Sequence, residues 1–214
     1  DYLHVVQGKK QEALEQFRKA AQIDGNQYEV WSQIMELDVE LNDFQNLLKD
    51  SQAISELFPN EPAPFFYNGL ANNRLNKHEA AVKSLKKAAM MSIGKKDFLV
   101  QIYTLMGDSY NEIQEYTKSY ESYEKALAIN PSSATVLNNY AYFLSLRNDK
   151  LDKASEMAAK ANQIEPNQSS YQDTYAWILY AQKKYTDARL WIEKAITNGG
   201  AKSGTIIEHY GDIL

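Results

Sequence analysis

His4, His78 and His209 are the three imidazoles of a 214-residue chain that contains no cysteine. A zinc or other metal centre draws on such side chains at close spacing, as in His-Glu-x-x-His on one helix face. Here the neighbours in sequence are 74 and 131 residues apart (78 − 4 and 209 − 78), so no local ligand pair exists. The lack of thiols removes disulfides, zinc-thiolate sites and cysteine nucleophiles, while leaving the redox compartment open. The segment 198–205, NGGAKSGT, has the composition of a phosphate-binding loop. That loop needs glycine immediately before the lysine and again five residues earlier, and Ala201 and Ile196 stand there instead. The segment reads as a helix-ending turn. Asn167-Gln168-Ser169 matches the glycosylation acceptor pattern, at a frequency chance supplies in a chain of this size. Catalytic residues, metal ligands and a cofactor are therefore expected to be absent.

Bulk properties narrow the field further. A net charge of −5 argues against a nucleic-acid binder, because neutralising phosphates takes clustered lysine and arginine. No apolar run approaches the roughly 20 residues that span a bilayer, and the N-terminal DYLHVVQGKK lacks the basic region and apolar core of a signal peptide. With 44% hydrophobic residues, the composition is that of a globular protein.

What positions the side chains is a repeat. KALAINP at 125–131 returns as KANQIEP at 160–166, and Lys19-Ala20, Lys87-Ala88 and Lys194-Ala195 echo it without the proline. With Ile54 at the missing point, the series 20, 54, 88, 126, 161, 195 has steps of 34, 34, 38, 35 and 34. Within a period the pattern is helical twice over. In 100–133, Tyr103, Met106, Gly107 and Tyr110 fall at i, i+3, i+4 and i+7, and Ser119, Tyr123 and Ala126 at i, i+4 and i+7. Between these helices NEIQEYTK, 111–118, reads as a polar turn, and Asn130-Pro131 stops the second. Pro59 and Pro166 act likewise, with Gly25 and Gly200 in their place elsewhere, and Pro62 and Pro64 suit the first turn of a helix.

These residues resemble the 34-residue tetratricopeptide repeat, whose pattern runs Trp-x2-Leu-Gly-x2-Tyr, Ala-x3-Phe, then Pro. First-helix matches include Trp31-Ile34-Met35, Phe65-Asn68-Gly69, Tyr103-Met106-Gly107-Tyr110, Leu137-Tyr140-Ala141-Leu144 and Tyr175-Ala176-Leu179. Second-helix matches include Ala13-Phe17-Ala20, Ala81-Leu85-Ala88, Ala154-Ala158-Ala161 and Ala188-Ile192-Ala195. The units are 1–27 (partial), 28–61, 62–99 with KDFL inserted at 96–99, 100–133, 134–168, 169–203 and 204–214 (partial). The resemblance implies an all-α, right-handed superhelical solenoid of antiparallel helix pairs over 1–214, and a place for this chain within a longer array. Asp38 and Asn72 replace the usual tyrosine and Ser51 the second-helix aromatic. They leave two readings, a looser, water-bridged interface or a functional polar pair between units. The histidines read as surface or partly packed side chains.

The resemblance also implies function: a non-enzymatic scaffold holding a peptide or helix of a partner protein on the concave face. A regulatory or substrate-docking segment of a larger enzyme, or self-association through the ends, are the alternatives. At about 100° per residue, positions 2, 5, 9, 12 and 13 of each first helix point away from the partner helix. That face carries Glu29, Glu36, Glu40, Asp108, Glu112, Asp173, Glu208 and Asp212 against a single cation, Arg74, a net of −7. The lysine-bearing clamp with which some members grip acidic chaperone tails is expected to be absent. The partner is a protein or peptide, basic or hydrophobic. Toward the C-terminus the face bears Tyr142, Trp177 and Tyr180 with Asn138 and Asp173 beside them. These rings read either as padding between neighbouring first helices or as a partner-binding anchor. Residues 134–203 resemble terminal units of long bacterial repeat proteins, some envelope-associated, which implies a soluble bacterial protein and leaves cytoplasm and periplasm open.

Overall fold

The computed structural model describes residues 2–214, with side chains from Gly8 onward. The expectations that Asp1 falls within a first helix and that the His4 side chain is ordinary lie outside the described residues. Every regular element among those residues is helical. α1 (Tyr2–Ile23) is followed by five helix pairs: α2 (Tyr28–Glu40) and α3 (Phe44–Leu57), α4 (Pro62–Arg74) and α5 (His78–Met91), α6 (Lys96–Glu112) and α7 (Tyr116–Ile129), α8 (Ala134–Ser145) and α9 (Leu151–Ile164), α10 (Ser169–Ala181) and α11 (Tyr185–Thr197). A 3-10 turn (Gly200–Lys202) leads into α12 (Gly204–Ile213). The chain divides into two compact units, Asp1–Ser119 and Tyr120–Leu214.

Local chemistry sets the helix ends. Pro62 and Pro64 occupy the first turn of α4, where no amide donor is required. Asp43 caps α3 by accepting from the Asn46 amide, and Ser203 caps α12 by accepting from Ile206. The inserted Lys96–Leu99 form an extra turn at the start of α6, and Phe98 there meets Phe66 edge-on at 5.0 Å.

The turns inside each pair share a design that the periodicity does not disclose. Each holds a non-glycine residue in the left-handed region: Asn42 (φ 56°), Asn76 (58°), Gln114 (61°), Asn148 (51°) and Lys183 (62°). The amide after it reaches back five residues, as Asp43 N to Asp38 O at 2.8 Å and Lys184 N to Leu179 O at 2.9 Å. The left-handed residue itself bonds three back, as in Asn42 N to Val39 O at 3.0 Å. This Schellman arrangement satisfies orphan carbonyls within three residues. Consequently the turn expected over 111–118 contracts to 113–115, with both helices running further. At the end of α11 it is Gly199 that turns left-handed (φ 104°), not Gly200. Gly200 is needed for a different reason, since a Cβ there would lie 2.6 Å from Ala195 O.

Packing is nearest-neighbour, as a helical repeat demands. In the first unit Met35, Leu47, Ile54 and Ala71 form one cluster, and Phe65, Leu85, Ile102 and Met106 belong to the next. In the second, Ala176, Ala188, Ile192 and Ile206 close α10, α11 and α12 on one another. The small residues of the repeat sit at these crossings: Ala88, Ala126, Ala141, Ala161, Ala176 and Ala195 are fully buried. A Cβ on Gly69 would lie 2.6 Å from Leu85 Cγ. The polar replacements in the first unit meet other polar side chains across the helix contacts. Asn68 Oδ1 accepts from Ser84 Oγ at 2.7 Å and from Asn72 Nδ2 at 2.9 Å, while its Nδ2 donates to Ser51 Oγ at 3.4 Å.

Candidate functional site

The five residues expected to meet a partner come from two helices of the second unit. Asn138 and Tyr142 lie one turn apart on α8, and Asp173, Trp177 and Tyr180 occupy the matching stretch of α10. Thr135 Oγ1 and Tyr171 Oη, 3.0 Å apart, join the two helices.

The α10 residues meet in one run of contacts. Tyr180 stacks on Trp177 with centroids 5.4 Å apart, and its other side meets Tyr185 edge-on at 5.6 Å. Trp177 stacks at 4.2 Å on His209 of α12, with the planes 18° apart. His209 Nδ1 in turn is hydrogen-bonded with Asp173 Oδ1 at 2.9 Å. Asp173 and His209 are both buried. His209 is therefore a built-in contact of α12 with α10, more buried than the surface or partly packed histidine expected. Its signal in sequence is a spacing: Asp173 to His209 is 36 residues, as are Thr135 to Tyr171 and Asn73 to Ser109, whose side chains bond at 3.0 Å in the first unit.

On α8, Tyr142 is half-buried and packs tilted against Phe143 at 5.6 Å. Asn138 is only 7% exposed. Its Nδ2 makes a long contact of 3.4 Å to Asn139 Oδ1, and its Oδ1 has no hydrogen-bond partner.

The equivalent face of the first unit forms an open cleft of about 310 Å³, lined by Asn73, Arg74, Asn76, His78, Asp108 and Glu112. Four of these, Asn73, Arg74, Asp108 and Glu112, are positions the helical rotation assigns to the inner face. Other positions assigned to that face are covered: Asn111 and Ser145 are buried along with Asn138 and Asp173. Rotation about one helix axis cannot anticipate how closely the next first helix approaches. No helix among the described residues is long and apolar enough to cross a membrane, and no group of three metal-ligating side chains occurs among them.

Comparison with known proteins agrees with this architecture. Two models of the tetratricopeptide repeat match residues 100–133 and 122–154. A TPR repeat-containing protein of Pseudomonas aeruginosa is 26% identical over 98 residues, which cover 46% of this chain but only 16% of that protein. Among solved structures, YrrB, described as a TPR protein with an unusual peptide-binding site, superposes with a TM-score of 0.64 at 14% identity, covering 92% of this chain and 98% of that one. A chain of the APC/C hetero-tetramer Cut9-Hcn1 superposes with a TM-score of 0.81 at 14% identity; all of this chain is covered, and 41% of that one. MamA gives a TM-score of 0.64 at 17% identity, with 79% and 96% covered. At these identities the structural likeness speaks for the fold alone.

Proposed function

Because the chain is a tetratricopeptide-repeat protein, we propose that it is a non-enzymatic scaffold that holds a peptide or helix of a partner protein against the inner face of its first helices. In the second unit the contact set is Asn138, Tyr142, Asp173, Trp177 and Tyr180. The observation that carries this reading is the set of partly exposed rings on that face, Tyr142, Trp177 and Tyr180, beside the covered Asn138. Tyr142 and the half-buried edge of Trp177 would supply the apolar anchor, the role aromatics commonly fill in interfaces. Asp173 would act mainly by holding His209 and, through it, the Trp177 ring. The peptide-binding site of YrrB supports this mode of action by analogy of fold. The carboxylates of the inner face favour a partner with basic side chains, drawn in by an attraction that weakens with salt.

The test begins with affinity capture using the full-length protein, followed by calorimetry with the captured partner. Tyr142→Ala and Trp177→Ala should each weaken binding at least tenfold, about 1.4 kcal/mol, with helicity retained by circular dichroism. Because Trp177 also stacks on His209, Tyr142→Ala is the cleaner of the two. Folded variants that both bind as tightly as the parent would assign the rings to packing alone.

A further inference from the structure

Arg18, Asp38 and Asp50 form a three-group cluster in the first unit that the binding face does not use. One guanidinium nitrogen, Arg18 Nη2 from α1, donates to Asp38 Oδ1 of α2 at 3.1 Å and to Asp50 Oδ2 of α3 at 2.9 Å. Asp38 is 0% exposed, and its second oxygen, Oδ2, has no hydrogen-bond partner. The other charge facing it is Asp43, the N-cap of α3. Two carboxylates thus meet on one guanidinium nitrogen where α1, α2 and α3 come together, with Asp43 acting on Asp38 from beside them. Arg18 and Asp50 also line an open cavity of about 240 Å³, shared with Lys49 and Trp31, so the cluster communicates with solvent.

Asp38 is fully buried with one oxygen unpaired and shares its guanidinium nitrogen with a second carboxylate, so charging it while Asp50 is also charged is costly. We propose that Asp38 and Asp50 share one proton, and that this proton latches α1 onto α2 and α3, so that its loss loosens α1. With the proton in place, the pair carries one negative charge and Arg18 balances it. Without it, a second negative charge is buried against a cation already engaged, the situation in which desolvation outweighs pairing. Burial pushes the Asp38 carboxyl up from 3.8 to about 7; Asp50 and Asp43 push the same way, against the pull of Arg18. The folded unit therefore keeps a proton that the unfolded chain gives up near 3.8. Stability supplied by the latch is complete below that value, declines as pH climbs, and is gone once pH passes the folded value near neutrality.

Hydrogen exchange of the α1 amides and the urea midpoint, both followed from pH 5.5 to 8.5, test the latch. In the parent protein, α1 protection should drop several-fold beyond the ordinary base-catalysed acceleration, with its half-point near pH 7, and the urea midpoint should fall in parallel. Asp38→Asn, which cannot take up the second negative charge, should keep its α1 protection across the range. Identical pH profiles for parent and Asp38→Asn would overturn the proposal. Should that variant fail to fold, a ¹³C NMR titration of the Asp38 carboxyl in the unaltered chain decides: an inflection near neutrality supports the shared proton, and one below pH 5 excludes it. Asp50→Asn should move that inflection downward, and a purely steric role for Asp50 would leave it in place.

Discussion

The two units solve the same packing problem with different chemistry. At one second-helix position the first unit has Ser51, bonded to Asn68 and to Leu48 O, where the second unit has Tyr123. At one first-helix position the first unit has Asn68, hub of the Ser51, Asn72 and Ser84 bonds, where the second has Tyr140. Tyr140 stacks on Tyr123 at 5.3 Å and lies 5.4 Å from Tyr120, and Tyr123 continues to Phe143 at 6.1 Å. The aromatic solution removes a large area from water and tolerates changes of salt and pH. The polar solution yields about 1 kcal/mol net per bond and depends on direction and protonation. A repeat thus fixes where an inter-helix contact falls more tightly than the size or polarity of the side chains that make it.

Deletion at matched positions should separate the two solutions most sharply. Tyr123→Ala, at a fully buried ring in two stacks, should lower stability by about 3–5 kcal/mol in urea unfolding. Ser51→Ala should cost about 1 kcal/mol or less, because its partner Asn68 keeps other bonds. Equal losses at the two sites would break the comparison.

Overpacking the shared small position comes next. Gly69→Leu should destabilise by up to about 3 kcal/mol although leucine is the better helix former, since even a Cβ collides with Leu85. Gly107→Leu, at the matching buried position of the next pair, should also lower stability, by about 1–3 kcal/mol. A neutral result for either in thermal unfolding would mean the crossing is looser than the packing distances indicate.

Asn68→Ala should cost about 1–2 kcal/mol by stranding the Ser84 hydroxyl, while the Asn72 amide keeps its bond to the backbone oxygen of residue 68. Asn68 with Ser84 and Asn72 all changed to alanine should cost less than the three single changes added together, which a multiple-mutant cycle would reveal. The smallest effect lies in the turns. Asn42 and Asn76 of the first unit and Asn148 of the second tolerate the left-handed conformation better than Gln114 and Lys183 do. Lys183→Gly should therefore stabilise by about 0.5–1 kcal/mol, whereas Asn42→Gly should gain no more than a few tenths. A reversal of that order in melting temperature would remove the turn from the comparison.

Legibility differs between fold and site for reasons tied to particular residues. Pro62, Pro131 and Pro166 act on their own backbone, and Ala126 and Ala161 recur on a fixed period, so helix boundaries and register are legible in the residue types themselves. The left-handed Gln114 and Lys183 are not, because neither residue type announces that conformation. The candidate face is legible as a set of rotational positions, and the cleft at Asn73, Arg74, Asp108 and Glu112 follows those positions. The burial of Asn138 and Asp173 is not, since it depends on how near α10 and α12 come to the helix before them.

The amino-acid order alone determined that this chain folds as paired helices in a repeating array, because helix stops, small-residue crossings and apolar periodicity are written within each repeat of about 34 residues. Which polar groups meet was decided only in three dimensions. Arg18 reaches Asp38 across 20 residues and Asp50 across 32, and Asp173 reaches His209 across 36. The physical reason is range: backbone propensity and hydrophobic period act over one or two helical turns, whereas a hydrogen bond forms or fails on a few tenths of an ångström between side chains carried by separate helices.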